Sequence, residues 1–193
     1  MTREYNGPYN GENLNHPAFP LGGLGAGMVC LEGMGALSHL SLRHRPEIFR
    51  QELMFGALCV KSADGNVARI IEGRVPAHKV FGKPGTGHGL AGTNLGLPRF
   101  DEAEFTARFP FGAVRLKDPA LPVEVELTGW SPFIPGETDN SCLPAAGLEY
   151  RFRNTGERPV EAVFSFHAAN FMRTQTPGHS VKKLSNGLVF HQP

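Results

Sequence analysis

The sequence predicts an all-β protein, a two-layer antiparallel β-sandwich with long irregular loops. Three observations carry this. Residues 121–128 alternate apolar and charged side chains, with Val123, Val125 and Leu127 on one face and Glu124 and Glu126 on the other, which is the pattern of a strand with one buried and one wet face. The 24 glycines and 16 prolines are spread through the chain, as many short strands joined by turns require. No stretch has the apolar period and length of an ordinary globular helix; only residues 45–53 offer a short helical possibility.

Each element follows in order. Residues 1–19 are rich in Asn, Gly and Pro, have no period, and read as a leader or a tie strand. The glycine-rich stretch Pro20–Gly27 superficially resembles a dinucleotide fingerprint. From Gly23 the sixth place is Met28, no strand is expected before it, and Met28–Leu31 continues as a strand rather than a helix. The expectation is a tight turn where bulky side chains would clash. Gly33–Gly35 turns the chain into a second strand at Leu37–His44, making a hairpin. Arg43, His44, Arg45, Glu47 and Arg50 form a polar, partly cationic stretch, which suits a solvated sheet edge better than an interface or a substrate-facing loop. Leu53–Val60 reads as a central strand, and Asp64–Asn66 turns it into Val67–Ile71.

Residues 73–100 carry six glycines between Gly82 and Gly96 and are predicted to be one long loop. His78 and His88 fall in it without carboxylates nearby, a poor metal set. Asp101, Glu102 and Glu104 read as a solvated acidic patch. Phe105–Phe109 and Phe111–Leu116 are strands broken at Pro110, and the strand ending at Thr128 runs into Trp130-Ser131-Pro132-Phe133-Ile134-Pro135. There the two prolines stop ladder pairing. After a polar loop the alternation resumes through Leu148, Tyr150 and Phe152. Asn154-Thr155-Gly156 is the next turn, with positive φ expected at Gly156 and side-chain-to-backbone bonding at Asn154. Val160–Ala168 follows as a strand. Residues 172–186 are polar, and Gly187–Phe190 opens a last strand.

The 193 residues fit one domain, residues 1–193, which would bury about 70% of its unfolded surface. With 40% apolar and 19% charged residues and a net charge of +1, the chain has no basic block to neutralise phosphates, so nucleic acid is not an expected partner. No run is long and apolar enough to span a bilayer, and the start has no apolar signal core, so a cytoplasmic setting is expected. Cys30, Cys59 and Cys142 are odd in number and lack metal-ligand spacing; Cys30 and Cys59, among aliphatic residues, read as small buried thiols. His167 reads as a hydrogen-bonded sheet residue rather than a base. Trp130 has a face suited to a sugar ring, though beside a proline-rich exit packing in a core or interface is preferred. The residues show no nucleophile elbow, phosphate loop or metal cluster, and no catalytic, cofactor-binding or metal residue is assigned.

The order of motifs adds a resemblance. Pro20-Leu21-Gly22-Gly23-Leu24-Gly25-Ala26-Gly27 resembles the PLGGIGxG opening of the N-terminal domain of glycoside hydrolase family 116, which includes the non-lysosomal glucosylceramidases, also called bile-acid β-glucosidases. Phe109-Pro110-Phe111-Gly112, Pro122-Val123-Glu124-Val125, Ser131-Pro132-Phe133-Ile134-Pro135 and Asp139-Asn140-Ser141-Cys142-Leu143-Pro144 resemble later blocks at similar spacing, as does the strand ending Arg153-Asn154-Thr155-Gly156. Cys142 stands where a Ser is usual. The similarity covers roughly residues 18–171. It implies a parent hydrolase, a retaining β-glucosidase, in which an N-terminal β-sandwich braces a C-terminal (α/α)6 barrel that holds the catalytic carboxylates. This chain is then expected to be inactive by itself, needing no cofactor and having the C-terminal domain of the same polypeptide as partner. Its loops 73–100 and 131–144 would reach the mouth of the active site and touch glycoside substrate, with Trp130, Phe133, Asp139 and Arg45 as candidate interface or mouth residues. The alternatives are a free-standing carbohydrate-binding sandwich and a protein-interaction module. A docking domain predicts an uncovered apolar patch; a free-standing one does not.

Overall fold

The computed structural model describes residues 4–62, 65–81 and 94–193. His88, and with it most of the glycine-rich loop, lies outside them. The described residues form antiparallel strands and only short helical turns, as the alternation predicts.

β1 (Ala18–Leu21), β2 (Met28–Glu32), β3 (Leu37–Leu42) and β4 (Arg45–Gln51) pair in sequence order as one sheet. β4 occupies the stretch offered as a helix. Its residues pair with β3 from Leu42↔Arg45 to Ser38↔Gln51, and that ladder overrides the weak local period. It is the edge strand expected of its charges. β5 (Met54–Val60) lies between β6 (Val67–Ile70) and β11 (Ala162–Ala168) in a second sheet. The third sheet has the order β10 (Gly147–Asn154), β9 (Val123–Trp130), β8 (Phe111–Lys117), β7 (Glu102–Arg108). β12 (Ser180–Leu184) and β13 (Gly187–His191) make a separate hairpin, of which the sequence predicts only the second strand.

Two further expectations are corrected. A strand does precede the glycine-rich turn: β1 pairs antiparallel with β2, so the turn is a hairpin connection rather than a strand-to-helix turn. The 154–156 turn joins strands of different sheets and lacks the positive φ expected in it. β10 pairs with β9 and β11 with β5, so the chain crosses between sheets there. Asn154 bonds as expected, accepting from Gly156 N (2.9 Å) and donating to Arg158 O (2.8 Å), but Gly156 is not at positive φ.

The helical turns are a 3-10 turn at Gly11–Leu14, α1 (Ala77–Phe81) and α2 (Thr138–Ser141). The first of these and β1 hold residues 9–21 against the sandwich. Leu14 is buried, and Tyr9 exchanges backbone hydrogen bonds with Phe105.

Period-2 alternation places the core. Val123, Val125 and Leu127 on β9, Val114 and Leu116 on β8, and Phe105 on β7 are buried together. Phe19, Leu21 and Leu31 of the first sheet lie over Gly112 and Gly129. Leu58 and Val60 of β5 join the same cluster. One layer is thus the β10–β7 sheet, and the other two sheets pack against it. The outer face of the β10–β7 sheet is a ladder of opposite charges: Glu104–Arg115–Glu126–Arg151 and Lys117–Glu124–Arg153. Arg153 holds the Glu124 carboxyl below the usual carboxylate range.

The core is open along one side. Tyr150 and Phe152 of β10 and Phe164 and Phe166 of β11 point inward, since their cross-strand partners are the buried Leu127, Val125, Leu58 and Gly56. Tyr150 and Phe164 meet at 5.0 Å between centroids and Phe152 and Phe164 at 5.5 Å. Yet Phe164 and Phe166 remain 42% and 44% exposed, because β10 and β11 are both outermost strands.

Candidate functional site

Three segments far apart in sequence meet at one end of the sandwich: the glycine-rich turn 20–27, the β7–β8 turn at Phe109-Pro110, and the loop 131–144. Gly22 N donates to Ser131 Oγ at 3.0 Å. Ser131 N donates to Pro110 O at 3.1 Å, across the cis Phe109–Pro110 bond. Leu24 N donates to Ser141 O at 2.8 Å. Ser131 and Ser141 are buried, and each spends its hydroxyl on backbone. Ser141 Oγ accepts from Ile134 N (3.0 Å) and donates to Ile134 O (3.1 Å), closing the 131–144 loop on itself. The contact is so close at Gly23 that a Cβ there would stand 2.0 Å from Leu143 O.

With the Ser131 and Ser141 hydroxyls turned inward, the end presents apolar side chains outward beside the exposed polar turn 137–140. Leu24, Phe109, Phe111, Trp130, Phe133, Ile134 and Leu143 are all exposed. Phe109 and Phe133 pack edge-on at 4.9 Å. Trp130 pairs across the sheet with Phe111 and Gly147, and its ring lies over Gly147. Trp130 is 40% exposed on the outer face, so it is not a core residue. Asp139 sits exposed in the first turn of α2 at this same end. Arg45 is not brought there; it starts β4 and lines a groove on another part of the molecule.

Sequence reasoning missed a buried charged cluster. Lys79, carried by α1, donates to Glu32 at the end of β2 and to Gln51 Oε1 of β4 at 3.0 Å, while Ser38 donates to Glu32. Glu72 pairs with Arg99, both nearly buried. Burial pushes the Glu72 carboxyl above its ordinary range, against the opposing pull of Arg99. Burial, then the Glu32 charge, pushes the Cys30 thiol up to about 11. A cavity of about 410 Å³ lies beside Glu32, Ser38 and Lys79, under His16 and His78, whose rings stack at 5.2 Å. A charged residue at a strand end and a lysine in an irregular stretch carry no pattern that would link them in the sequence. The cluster is internally satisfied, so it reads as the lock of α1 onto the first sheet. His167 bonds Ser165 Oγ at 3.0 Å, as expected of a sheet histidine. Among the described residues, no three His, Cys, Asp or Glu side chains gather closely enough to hold a metal ion. No described helix is long and apolar enough to cross a membrane.

The chain's residues 18–191 match the family described as beta-glucosidase 2, glycosyl-hydrolase family 116 N-term. No curated protein matches it. Four of the sequence blocks that resemble that family, at 20–27, 109–112, 131–135 and 139–144, make up the end of the sandwich just described.

Proposed function

This chain belongs to the family of glycosyl-hydrolase 116 N-terminal domains, and we propose on that premise that it is the non-catalytic sandwich of a retaining β-glucosidase. It braces a C-terminal (α/α)6 catalytic domain by docking its apolar end against it. The observation that carries this reading is the exposed group Phe109, Phe111, Trp130, Phe133, Ile134 and Leu143, built by the family-matching segments themselves. Contiguous apolar surface of this kind marks an interaction site. The charged side chains of the outer β10–β7 face support a non-catalytic role, since its carboxylates are spent on arginine and lysine rather than facing each other across a cleft.

The test has two parts. The 193-residue chain should leave an aryl β-glucoside unhydrolysed, whereas the longer hydrolase cleaves it. Added to the separately produced catalytic domain, the chain should bind it, and Phe109→Ser with Phe133→Ser should weaken that binding at least about tenfold without lowering the chain's own melting temperature. Enzyme-like turnover by the chain, or unchanged docking of the double variant, would sink the proposal. A second reading, sugar stacking on Trp130, is favoured by that ring's exposure alone; glucoside binding by the chain that is lost in Trp130→Ala would support it.

A further inference from the structure

The cationic stretch 43–50 is not absorbed by the docking end. It forms one wall of an open groove of about 1160 Å³, whose other wall is the segment 169–179. Four arginines line it, Arg43, Arg45, Arg50 and Arg173, against two glutamates. Both glutamates, Glu47 and Glu52, are spent on Arg50, whose NH2 also donates to Phe171 O at 3.0 Å. Arg43 reaches only a carbonyl, Gln192 O at 3.4 Å. Arg45 and Arg173 are exposed and have no carboxylate partner among the described residues.

This differs from the molecule's other charged surface. On the outer β10–β7 face the charges of β8, β9 and β10 have opposite neighbours, the arrangement of a self-sufficient wet surface. The groove keeps a surplus of positive charge facing a concavity, which focuses the field on an anion entering it. Its walls are also built. Gln192 is buried and ties the far wall together, accepting from Thr174 N (2.9 Å) and donating to Thr176 O (3.2 Å). At the rim, Arg43 and His44 form the β3–β4 turn with φ of 53° and 59°. Asn and Gly take that conformation at little cost; an arginine followed by a histidine holds it at about 1 kcal/mol each. The strain is tolerated where it places a cationic side chain at the mouth.

We propose that this groove is a docking cleft for an extended acidic peptide segment. The groove is too large for a small anion and is lined for repeated carboxylate contacts, and the charge complementarity selects Asp/Glu-rich chain. Resting on the docking reading above, we assign that segment to the C-terminal part of the same hydrolase. The cleft would fix orientation while the apolar end supplies affinity.

The test is fluorescence anisotropy of the full chain with a short labelled peptide alternating Glu and Ser, at low salt. Binding is expected, with none of the matching Gln/Ser peptide. Arg45→Glu with Arg173→Glu should weaken it at least about tenfold. Arg108→Glu with Arg158→Glu, the same charge change on exposed sites outside the groove, should change it by less than about twofold. Equal loss in both double variants, equal affinity for an oligothymidine of the same charge, or no peptide binding would overturn the cleft. The arms separate from the docking reading. A chain that docks on the catalytic domain but ignores the Glu peptide keeps that reading and loses this one. A chain that takes the peptide in the groove but does not dock does the reverse.

Discussion

Replacing Gly23 by Ala tests whether the end of the sandwich is assembled as described. The added methyl would stand 2.0 Å from Leu143 O and 2.7 Å from the Cys142 carbonyl carbon, both backbone, so no side-chain rotation relieves it. The glycine-rich turn and the 131–144 loop must separate. Overpacking of this kind costs about 1–3 kcal/mol. Separation also breaks Gly22 N to Ser131 Oγ and Leu24 N to Ser141 O, each worth about 1 kcal/mol. The expected loss is therefore about 3–5 kcal/mol, a large share of the roughly 5–15 kcal/mol that holds such a domain. Gly25→Ala is the control. Gly25 lies in the same turn at φ 73° with open space around it, so only the left-handed backbone penalty applies, about 1 kcal/mol. Urea unfolding at unchanged m-value reads both. If Gly23→Ala proved as mild as Gly25→Ala, the two segments would not be in contact and the candidate end would have to be abandoned.

Three more outcomes follow from the buried groups and the open edge. Lys79→Met leaves the Glu32 carboxylate buried without its cation and should cost about 3–5 kcal/mol, part of which Glu32→Gln in the same chain restores, as thermal unfolding would register. The Cys30 thiol sits at about 11 in the folded chain against 9.0 when free, so folding favours its neutral form. Stability is fully present below pH 9 and falls by up to about 3 kcal/mol as pH rises toward 11, and that slope should be missing in Cys30→Ala across an alkaline urea series. Phe164→Ala and Phe166→Ala, at half-exposed sites, should each cost about 1–2 kcal/mol against about 3–5 for the buried Phe105→Ala, and should lower binding of an apolar dye by the free chain; equal costs would mean the edge is covered in solution.

The strands were legible where one face is buried and the other wet. β9 is the plain case, with Val123, Val125 and Leu127 inside and Glu124 and Glu126 outside. The same parity places Trp130 on the outer face with the glutamates, so its exposure was readable before the proline-rich exit suggested packing. β12 was not legible because Ser180–Leu184 is exposed on both faces and the Lys182-Lys183 pair interrupts any alternation. Residues 45–53 were ambiguous because Arg45–Ile48 is exposed on both faces, so nothing there separates a period of two from one near four. The crossover at 154–156 was not legible as one for a different reason. Two amphipathic strands around an Asn-Thr-Gly turn look alike whether they pair with each other or with strands of opposite layers, and here β9 and β5 had already claimed them.

The candidate site was legible as blocks but not as a place. Nothing local joins Gly22 to Ser131, since a hydrogen bond spanning 109 residues leaves no spacing to read. What joins them is that each block supplies half of a contact. The glycines remove side chains so that backbone can approach. Ser131 and Ser141 supply the oxygen that the approaching N–H groups need, and Pro110 offers the carbonyl that receives Ser131 N. In that light these blocks are parts of one junction, and its two buried serines, bonded to backbone, are structural rather than poised for chemistry. Its outward product is the aromatic surface around Phe109, Phe133 and Trp130. A chain that spends its most distinctive residues on assembling an apolar end, leaves the side of its core open between β10 and β11, and keeps Arg45 and Arg173 without a carboxylate partner among the described residues along a built groove presents three kinds of surface that a partner polypeptide would complete. The docking reading accounts for all three together, whereas a sugar-binding sandwich would account only for Trp130.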